Sequence, residues 1–219
     1  MAIQFNKLNG GAKKSGVTYM KLADGDNTFR IVGGILPGYT YWVQGASGKN
    51  LPFEALQFDR ETEAFDNTRG CPVSDAGIKD AKGDDLRCQW SYKCQVINKA
   101  TGLLEVLQLK KGMLTDIISV AQQLEMDPTD PETGTWLTVN RKKTGPKTFN
   151  VEYNLAQLKC KSTPLTDDEL ALIKDLAPIG EKFAVETYEK QAARLAKHLT
   201  GEQEDEADGA DKEAVDELG

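Results

Sequence analysis

Residues 86–111 carry the pattern that most constrains the fold, because their polarity alternates with a period of two. From Cys88 to Val96 the even positions are Cys, Trp, Tyr, Cys and Val, whereas the odd positions are Gln, Ser, Lys and Gln. Such alternation gives a β-strand two different faces. Residues 99–102, Lys-Ala-Thr-Gly, predict a tight turn with a glycine for positive φ, and residues 103–109 predict the returning strand. The stretch therefore predicts an antiparallel hairpin.

Two interpretations of this hairpin stay open. In the first, Trp90 and Tyr92 fill a β core, which the hairpin alone favours. In the second, the two rings form a surface with Lys93 and the basic end at Lys110 and Lys111. That surface would stack bases and hold phosphates.

The rest of the chain predicts further strands and several helices around the hairpin. Residues 45–85 show no sustained periodicity and predict an irregular inserted loop, made locally basic by Lys49, Arg60 and Arg69. The single histidine, His198, is expected to be exposed near the end of the last helix. Strands are predicted over 28–32, 39–44, 136–143 and 147–158, a bend or end at Gly33-Gly34, and helices over 113–126, 166–176 and 181–199, the second opened by a capping box at Thr166.

The negative charge is concentrated at the C-terminus. Residues 201–219 contain nine acids and one base, whereas residues 1–200 contain 25 acids and 26 bases. The tail is too polar to bury itself, so it is expected to be disordered. Residues 1–20 are polar and basic and are expected to form a flexible arm. No signal-peptide pattern and no apolar run of membrane-spanning length appears, so neither secretion nor membrane insertion is expected.

The sequence shows few signs of catalytic or metal chemistry. It contains no nucleophile elbow, phosphate-binding glycine loop or paired metal-binding histidines, which argues against an enzyme. Structural zinc usually requires closely spaced ligand pairs, and the four cysteines, Cys71, Cys88, Cys94 and Cys160, include none. Cys88 and Cys94 also fall on the inward face of a strand, where free cysteine packs as a small hydrophobe. We therefore expect no cofactor, with a structural zinc as the alternative.

The order of these elements resembles the single-stranded-DNA-binding, helix-destabilising proteins of tailed bacteriophages. The similarity covers roughly residues 18–175 and is one of order and pattern. The similar stretches are the strand Thr-Phe-Arg-Ile-Val with Leu-Pro behind it, the Cys71-Pro72-Val73 segment, the Trp90 strand, residues 107–111 leading into an amphipathic helix, the Leu-Thr-Val strand at 137–139, and the acidic C-terminus.

This resemblance implies a mainly β protein of the α+β class. Residues 21–160 would form an oligonucleotide-binding β-barrel with an inserted loop region, and residues 161–200 would form helices packed on it. The arm at 1–20 would support cooperative self-association, and the disordered tail at 201–219 would recruit replication or recombination proteins. Some members bind zinc through one histidine and three cysteines, but residues 41–45 here contain no histidine where the family carries it.

The implied function is sequence-independent coating of single-stranded DNA in the cytoplasm of the infected bacterial host, during DNA replication, recombination or repair. Alternation places Tyr41 and Trp42 on opposite faces of a strand, so not every aromatic candidate can face DNA. The candidates for base stacking are Tyr39, Tyr41, Trp42, Trp90 and Tyr92, and those for phosphate contact are Lys49, Arg69, Lys93, Lys110, Lys111, Arg141, Lys142 and Lys143.

One alternative function comes from another class. An acidic protein that mimics DNA, or an interaction or inhibitor protein that never binds DNA, would explain the tail but not the basic ends of both hairpins. RNA binding also stays open, because stacking and phosphate contacts do not report the sugar.

Overall fold

A computed structural model of the protein describes residues 17–123, 125–146, 150–156, 159 and 161–202. Most of the expected arm and tail, together with Cys160, lies outside the described residues. The described strands are β1 (Gly25–Leu36), β2 (Tyr39–Gln44), β3 (Asn50–Glu54), β4 (Phe58–Asp59), β5 (Ala64–Phe65), β6 (Gln89–Trp90), β7 (Lys93–Asn98), β8 (Leu103–Gln108), β9 (Thr135–Lys143), β10 (Val151–Leu155) and β11 (Lys161–Ser162). The described helices are α1 (Pro72–Asp75), α2 (Lys111–Gln123), α3 (Asp167–Ile173), α4 (Ile179–Lys182) and α5 (Tyr188–Thr200).

The main sheet has the strand order β10-β9-β1-β7-β8, with β11 paired to β9. Its long central strand, β1, pairs with β9 near its start and with β7 over the rest of its length. At Gly33, where φ is +75°, the register with β7 shifts between Val32 and Ile35. Glycine tolerates this positive φ and allows the bulge that bends the strand. The predicted glycine bend is therefore confirmed, and the chain is mainly β with α-helices.

The two outer strands of the main sheet, β8 and β10, are not paired with each other within the described residues. The edge of β8 is covered by the segment before β1, where Tyr19 forms a parallel bridge to Val106 and Met20 donates to the Val106 carbonyl. Residues 17–20, which the sequence assigns to a flexible arm, thus pack on the sheet, and Met20 is buried. Helix α2 packs against β10. A closed barrel is not observed in the described residues.

The inserted region between β1 and β7 contains a second sheet, with the order β3-β2-β6. The prediction that residues 45–85 are irregular is wrong for β3, which pairs antiparallel with β2 and sets Phe53 opposite Tyr41. The sequence of β3, Asn-Leu-Pro-Phe-Glu, shows only a weak alternation of polar and apolar residues. The strand is therefore specified by its pairing with β2 and not by its own pattern. Two short strands, β4 and β5, form a hairpin in which Phe58 opposes Phe65.

Both faces of the main sheet are buried. One face carries Phe29, Ile31 and Val96 and packs against the second sheet and α2. The other face packs against the segment that contains α3 and α4, in a smaller cluster formed by Val32, Ile97, Trp136 and Leu165. Even the polar side chain of Gln95 is only 1% exposed, and its Nε2 donates to the Ala177 carbonyl at 3.2 Å. The predicted hairpin therefore forms from β7 and β8, with both faces covered. The single strand predicted over 88–96 is wrong, because it is interrupted at Ser91 and Tyr92 and its first part, β6, pairs with β2 in the second sheet.

The single helix predicted over 181–199 is wrong in its first half, because α4 ends at Lys182 and α5 begins at Tyr188. The Thr187 hydroxyl caps α5 by accepting from the Lys190 amide. Helix α5 then supports the second sheet, with Arg194 Nη1 donating to the Pro52 carbonyl at 3.1 Å. No helix in the described part of the chain is both long and apolar enough to span a membrane.

The expectation that His198 is exposed is wrong. Its ring is half-buried beside Phe53, with the ring centroids 6.0 Å apart. Its Nε2 donates to the Val43 carbonyl at 2.9 Å, since a carbonyl can only accept. His198 is thus part of the contact between α5 and β2.

Candidate nucleic-acid interface

Five aromatic side chains, which we call the aromatic cluster, meet where β2, β6 and the β4–β5 hairpin converge. They are Tyr39, Phe58, Phe65, Trp90 and Tyr92. Trp90 and Tyr92 are stacked, with centroids 3.5 Å apart and planes 9° from parallel. Tyr39 meets the other four rings edge-on, at centroid distances of 4.8 Å from Phe58, 4.9 Å from Phe65, 6.0 Å from Trp90 and 6.3 Å from Tyr92.

The members of the aromatic cluster differ in exposure. Tyr92 is 4% exposed and Phe58 7%, so both belong to the core. Tyr39 and Trp90 are half-buried, and Phe65 is 42% exposed. The core interpretation of the hairpin is therefore confirmed for Tyr92, whereas Trp90 is only partly buried, and base stacking on it stays a prediction. Trp90 is held in place by its indole Nε1, which donates to the Leu109 carbonyl at 2.9 Å.

Tyr41 and Trp42 lie on opposite sides of β2, as the alternation predicts. Tyr41 is buried in the main core, where its hydroxyl contacts Gln57. Trp42 is half-buried on the other side, across from Pro52 in β3. Since Tyr41 is enclosed by core residues, it is not a surface on which a base can stack.

We expect the stability of the protein to fall between pH 10 and pH 12, because burial raises the pKa of Tyr41 to about 12. Above the ordinary tyrosine pKa of about 10, the unfolded chain releases a proton that the folded chain retains, which weakens folding by about 1.4 kcal/mol per pH unit. Denaturant unfolding at pH 9 and pH 11.5 measures this loss. The Tyr41→Phe variant should show a shallower pH dependence, and an unchanged dependence would contradict the assignment.

The basic ends of the two long hairpins come together through α2. Lys110 Nζ lies 5.9 Å from the centroid of the Tyr153 ring. Tyr153 on β10 pairs with Arg141 on β9, and Arg141 forms an ion pair with Asp24. Lys111 is exposed at the first position of α2. Lys142 and Lys143 are exposed at the end of β9. The Leu109 carbonyl accepts the hydrogen bond from Trp90, and Lys110 and Lys111 directly follow Leu109 in the chain. The basic residues therefore lie next to the aromatic cluster.

Three other basic candidates lie elsewhere or are engaged with the protein. Arg69 forms ion pairs with Asp59 at 2.9 Å and Asp66 at 3.4 Å. Lys93 Nζ lies 4.3 Å from the centroid of the Phe183 ring. Lys49 is exposed near the turn that follows β2, whereas the aromatic cluster lies at the start of that strand. Because β2 has six residues, its two ends are about 20 Å apart.

The prediction that the inserted region is locally basic is wrong. Residues 45–85 contain nine acids and five bases, and the structure pairs Arg60 and Arg69 with carboxylates. Positive charge at the candidate interface therefore comes from the two long hairpins and from α2, not from the insert.

Sequence reasoning missed Phe58 and Phe65 as members of the aromatic cluster. Each stands in a polar stretch without periodicity, Gln-Phe-Asp and Ala-Phe-Asp. The only local signal was the presence of two phenylalanines seven residues apart on either side of a polar loop. That pattern is too common to predict a hairpin, and the pairing becomes visible only in three dimensions.

The described cysteines are free thiols. Burial raises the pKa of the Cys88 and Cys94 thiols, which favours the protonated form over the thiolate that binds metal. Among the described residues, no group of three or more His, Cys, Asp or Glu side chains could hold a metal ion. Cys160 lies outside these residues.

No family model matches the sequence. The chain is similar to a protein of Escherichia phage T5 that is named "probable ssDNA-binding protein". The two are 24% identical over 263 aligned positions, which cover 100% of this chain and 99% of the relative. The resemblance to phage single-stranded-DNA-binding proteins, first indicated by the order of the elements, is thus confirmed by a relative that matches along the whole chain.

Proposed function

We propose that this protein binds and coats single-stranded DNA without sequence specificity, during phage DNA replication, recombination or repair. The observation that carries the proposal is the hydrogen bond from Trp90 to the Leu109 carbonyl, which ties the aromatic cluster to Lys110 and Lys111. Every base has a face that can stack on a ring, and lysines neutralise phosphates whatever the sequence. The name of the T5 relative supports the same function.

The topology supports an oligonucleotide-binding barrel in its partly open form. In this proposal β1, β7, β8, β9 and β10 are its five strands, and α2 links the third strand to the fourth. Such barrels bind oligonucleotides on strands 2 and 3 and on the loops between strands 1 and 2 and strands 4 and 5. Here the first of these loops is the insert that carries the aromatic cluster. The second begins at the basic tip formed by Lys142 and Lys143.

The other parts of the chain take supporting roles in the proposal. Residues 21–160 form the binding domain, and residues 161–200 brace it. The arm at 1–20 links neighbouring copies along the strand, and the acidic tail at 201–219 recruits replication or recombination proteins. The protein acts in the cytoplasm of the infected host, as a stoichiometric coat and not as an enzyme, without a cofactor.

Titrating oligo-dT into the protein should quench its tryptophan fluorescence, with Trp90 as the main source. Trp90 is partly exposed beside the basic end of β8, whereas Trp136 is buried. We expect the Trp90→Phe variant to lose most of the quenching, and the Trp90→Ala variant to bind about 5- to 100-fold more weakly, as expected for the loss of one stacked base. The Trp42→Phe variant is the matched control and should be quenched like the wild type.

One observation favours the rival function of an acidic DNA mimic or inhibitor. The insert is net acidic, as is the tail, so the protein offers carboxylates at both places. The titration separates the two functions. No quenching and no gel shift with oligo-dT at low salt would contradict DNA binding and favour the mimic.

A further inference from the structure

The β4–β5 hairpin presents an exposed aromatic ring on a buried aromatic base. Phe65 is 42% exposed, and its partner across the hairpin, Phe58, is 7% exposed. The Phe65 ring rests against Phe58 at 5.2 Å and against Tyr39 at 4.9 Å, centroid to centroid. These contacts fix the ring in position while leaving much of it open to a flat ligand.

The same hairpin is lined with carboxylates. Asp59 and Asp66 flank it and contact Arg69. Between them, Glu61 and Glu63 are exposed, and Glu63 Oε2 accepts a hydrogen bond from the Tyr92 hydroxyl at 2.7 Å. A phosphate placed against this hairpin would meet negative charge, so the hairpin suits the neutral base edge of a strand and not its backbone.

A sequence of contacts leads from this acidic hairpin to the basic residues. Phe65 contacts Tyr39, Tyr39 contacts Trp90, and Trp90 donates to the carbonyl of Leu109, which precedes Lys110 and Lys111. The interface therefore has an acidic aromatic end and a basic end. A single strand has a matching distribution of charge, with uncharged bases along one edge and negative phosphates along the other.

We propose that Phe65 stacks a base of the bound strand, and that the carboxylates of its hairpin keep the phosphates on the side of Lys110 and Lys111. This inference rests on the proposed function and adds to it a device for selecting single strands. A duplex carries phosphates along both outer edges, so one backbone would face Glu61 and Glu63. Its bases are also paired and stacked, and cannot reach Phe65.

The stacking role is tested with two ligands, oligo-dT and an abasic oligomer of the same length that lacks bases. The Phe65→Leu variant keeps an apolar side chain without a ring, and should bind oligo-dT about tenfold more weakly while binding the abasic oligomer like the wild type. The Phe65→Trp variant should restore affinity, and its added fluorescence should be quenched by oligo-dT. The Leu172→Ala variant, at a 40% exposed residue on α3, is the control and should bind both ligands normally.

The charge role is tested by comparing single-stranded with duplex DNA at low salt. The Glu61→Gln variant should bind duplex DNA several-fold more tightly relative to oligo-dT than the wild type does. The Asp168→Asn variant, with the same charge change at an exposed residue on α3, should leave the ratio unchanged.

Each outcome decides a separate point. If the wild type fails to bind oligo-dT, the proposed function is wrong. If the wild type binds but Phe65→Leu weakens both ligands equally, or neither, Phe65 is not a stacking residue and only the further inference is wrong. If the Glu61→Gln variant has the same ratio of duplex affinity to oligo-dT affinity as the wild type, the proposed role of the carboxylates is wrong.

Discussion

Binding to oligo-dT should weaken by about 600-fold when the salt concentration is raised from 50 to 500 mM, if four lysines contact phosphates. The four that the structure places near the basic end of the interface are Lys110, Lys111, Lys142 and Lys143. Each phosphate neutralised on a single strand adds about −0.7 to the slope of log K against log salt, so the total slope is about −2.8. Fluorescence titrations at five salt concentrations measure it.

Single lysine variants test which residues produce this slope. The Lys111→Ala variant should reduce its magnitude by about 0.7, because one counterion fewer is released. The matched control is Lys79→Ala, since Lys79 lies in the insert and pairs with Asp85 at 2.6 Å. A slope near zero for the wild type would contradict phosphate binding at this interface, and an equal loss of slope in both variants would contradict the assignment of Lys111.

Replacing Arg30 with leucine should lower the free energy of unfolding by about 3 kcal/mol. Arg30 is fully buried on β1, where its Nη1 donates to the Thr163 carbonyl at 3.1 Å and its Nη2 donates to the Asp130 carbonyl. Burial lowers the pKa of the guanidinium, which nevertheless remains charged, and nearby Asp130 opposes the shift. Leucine fills part of the space but makes neither hydrogen bond: the Thr163 carbonyl loses this donor, and the Asp130 carbonyl keeps only the Gly134 amide, at 2.9 Å. A hydrogen bond from a charged group contributes about 1.5–3 kcal/mol to stability.

The matched control for Arg30 is Arg87, an exposed arginine in the inserted region. The Arg87→Leu variant should change the free energy of unfolding by no more than about 0.5 kcal/mol. Urea denaturation followed by far-UV circular dichroism compares the two. Equal stability of the Arg30→Leu variant and the wild type would show that the two hydrogen bonds of Arg30 do not stabilise the fold.

The elements that could be predicted are those specified by their own residues. Polarity alternation with a turn glycine predicted β7 and β8, and helical spacing of apolar residues predicted α2 to within three residues at each end. The capping box at Thr166 is present, with Thr166 and Glu169 bonded reciprocally. Elements specified by distant partners were missed. Strand β3 forms because β2 lies beside it, and the helix predicted over 181–199 is interrupted between α4 and α5.

The candidate interface was only partly predictable for the same reason. The sequence named Trp90, Lys110 and Lys111 as candidates, and the structure leaves all three at least partly exposed; their contact with DNA stays a prediction. It also marked Arg69, which the structure instead pairs with Asp59 and Asp66. Whether a cation is open to a phosphate depends on carboxylates that fold next to it, and their positions are not encoded in local spacing.

The sequence alone predicted a mainly β chain with supporting helices, because local periodicity indicates strands and helices. It also showed a near-neutral body and an acidic tail, because these follow from counting charges. Alternation tells which residues share a face of a strand, but not what covers that face. Only the tertiary structure buried Tyr41 and Tyr92 while leaving Trp90 and Phe65 at the surface. The coverage comes from segments far along the chain, so it depends on long-range packing that no local pattern contains.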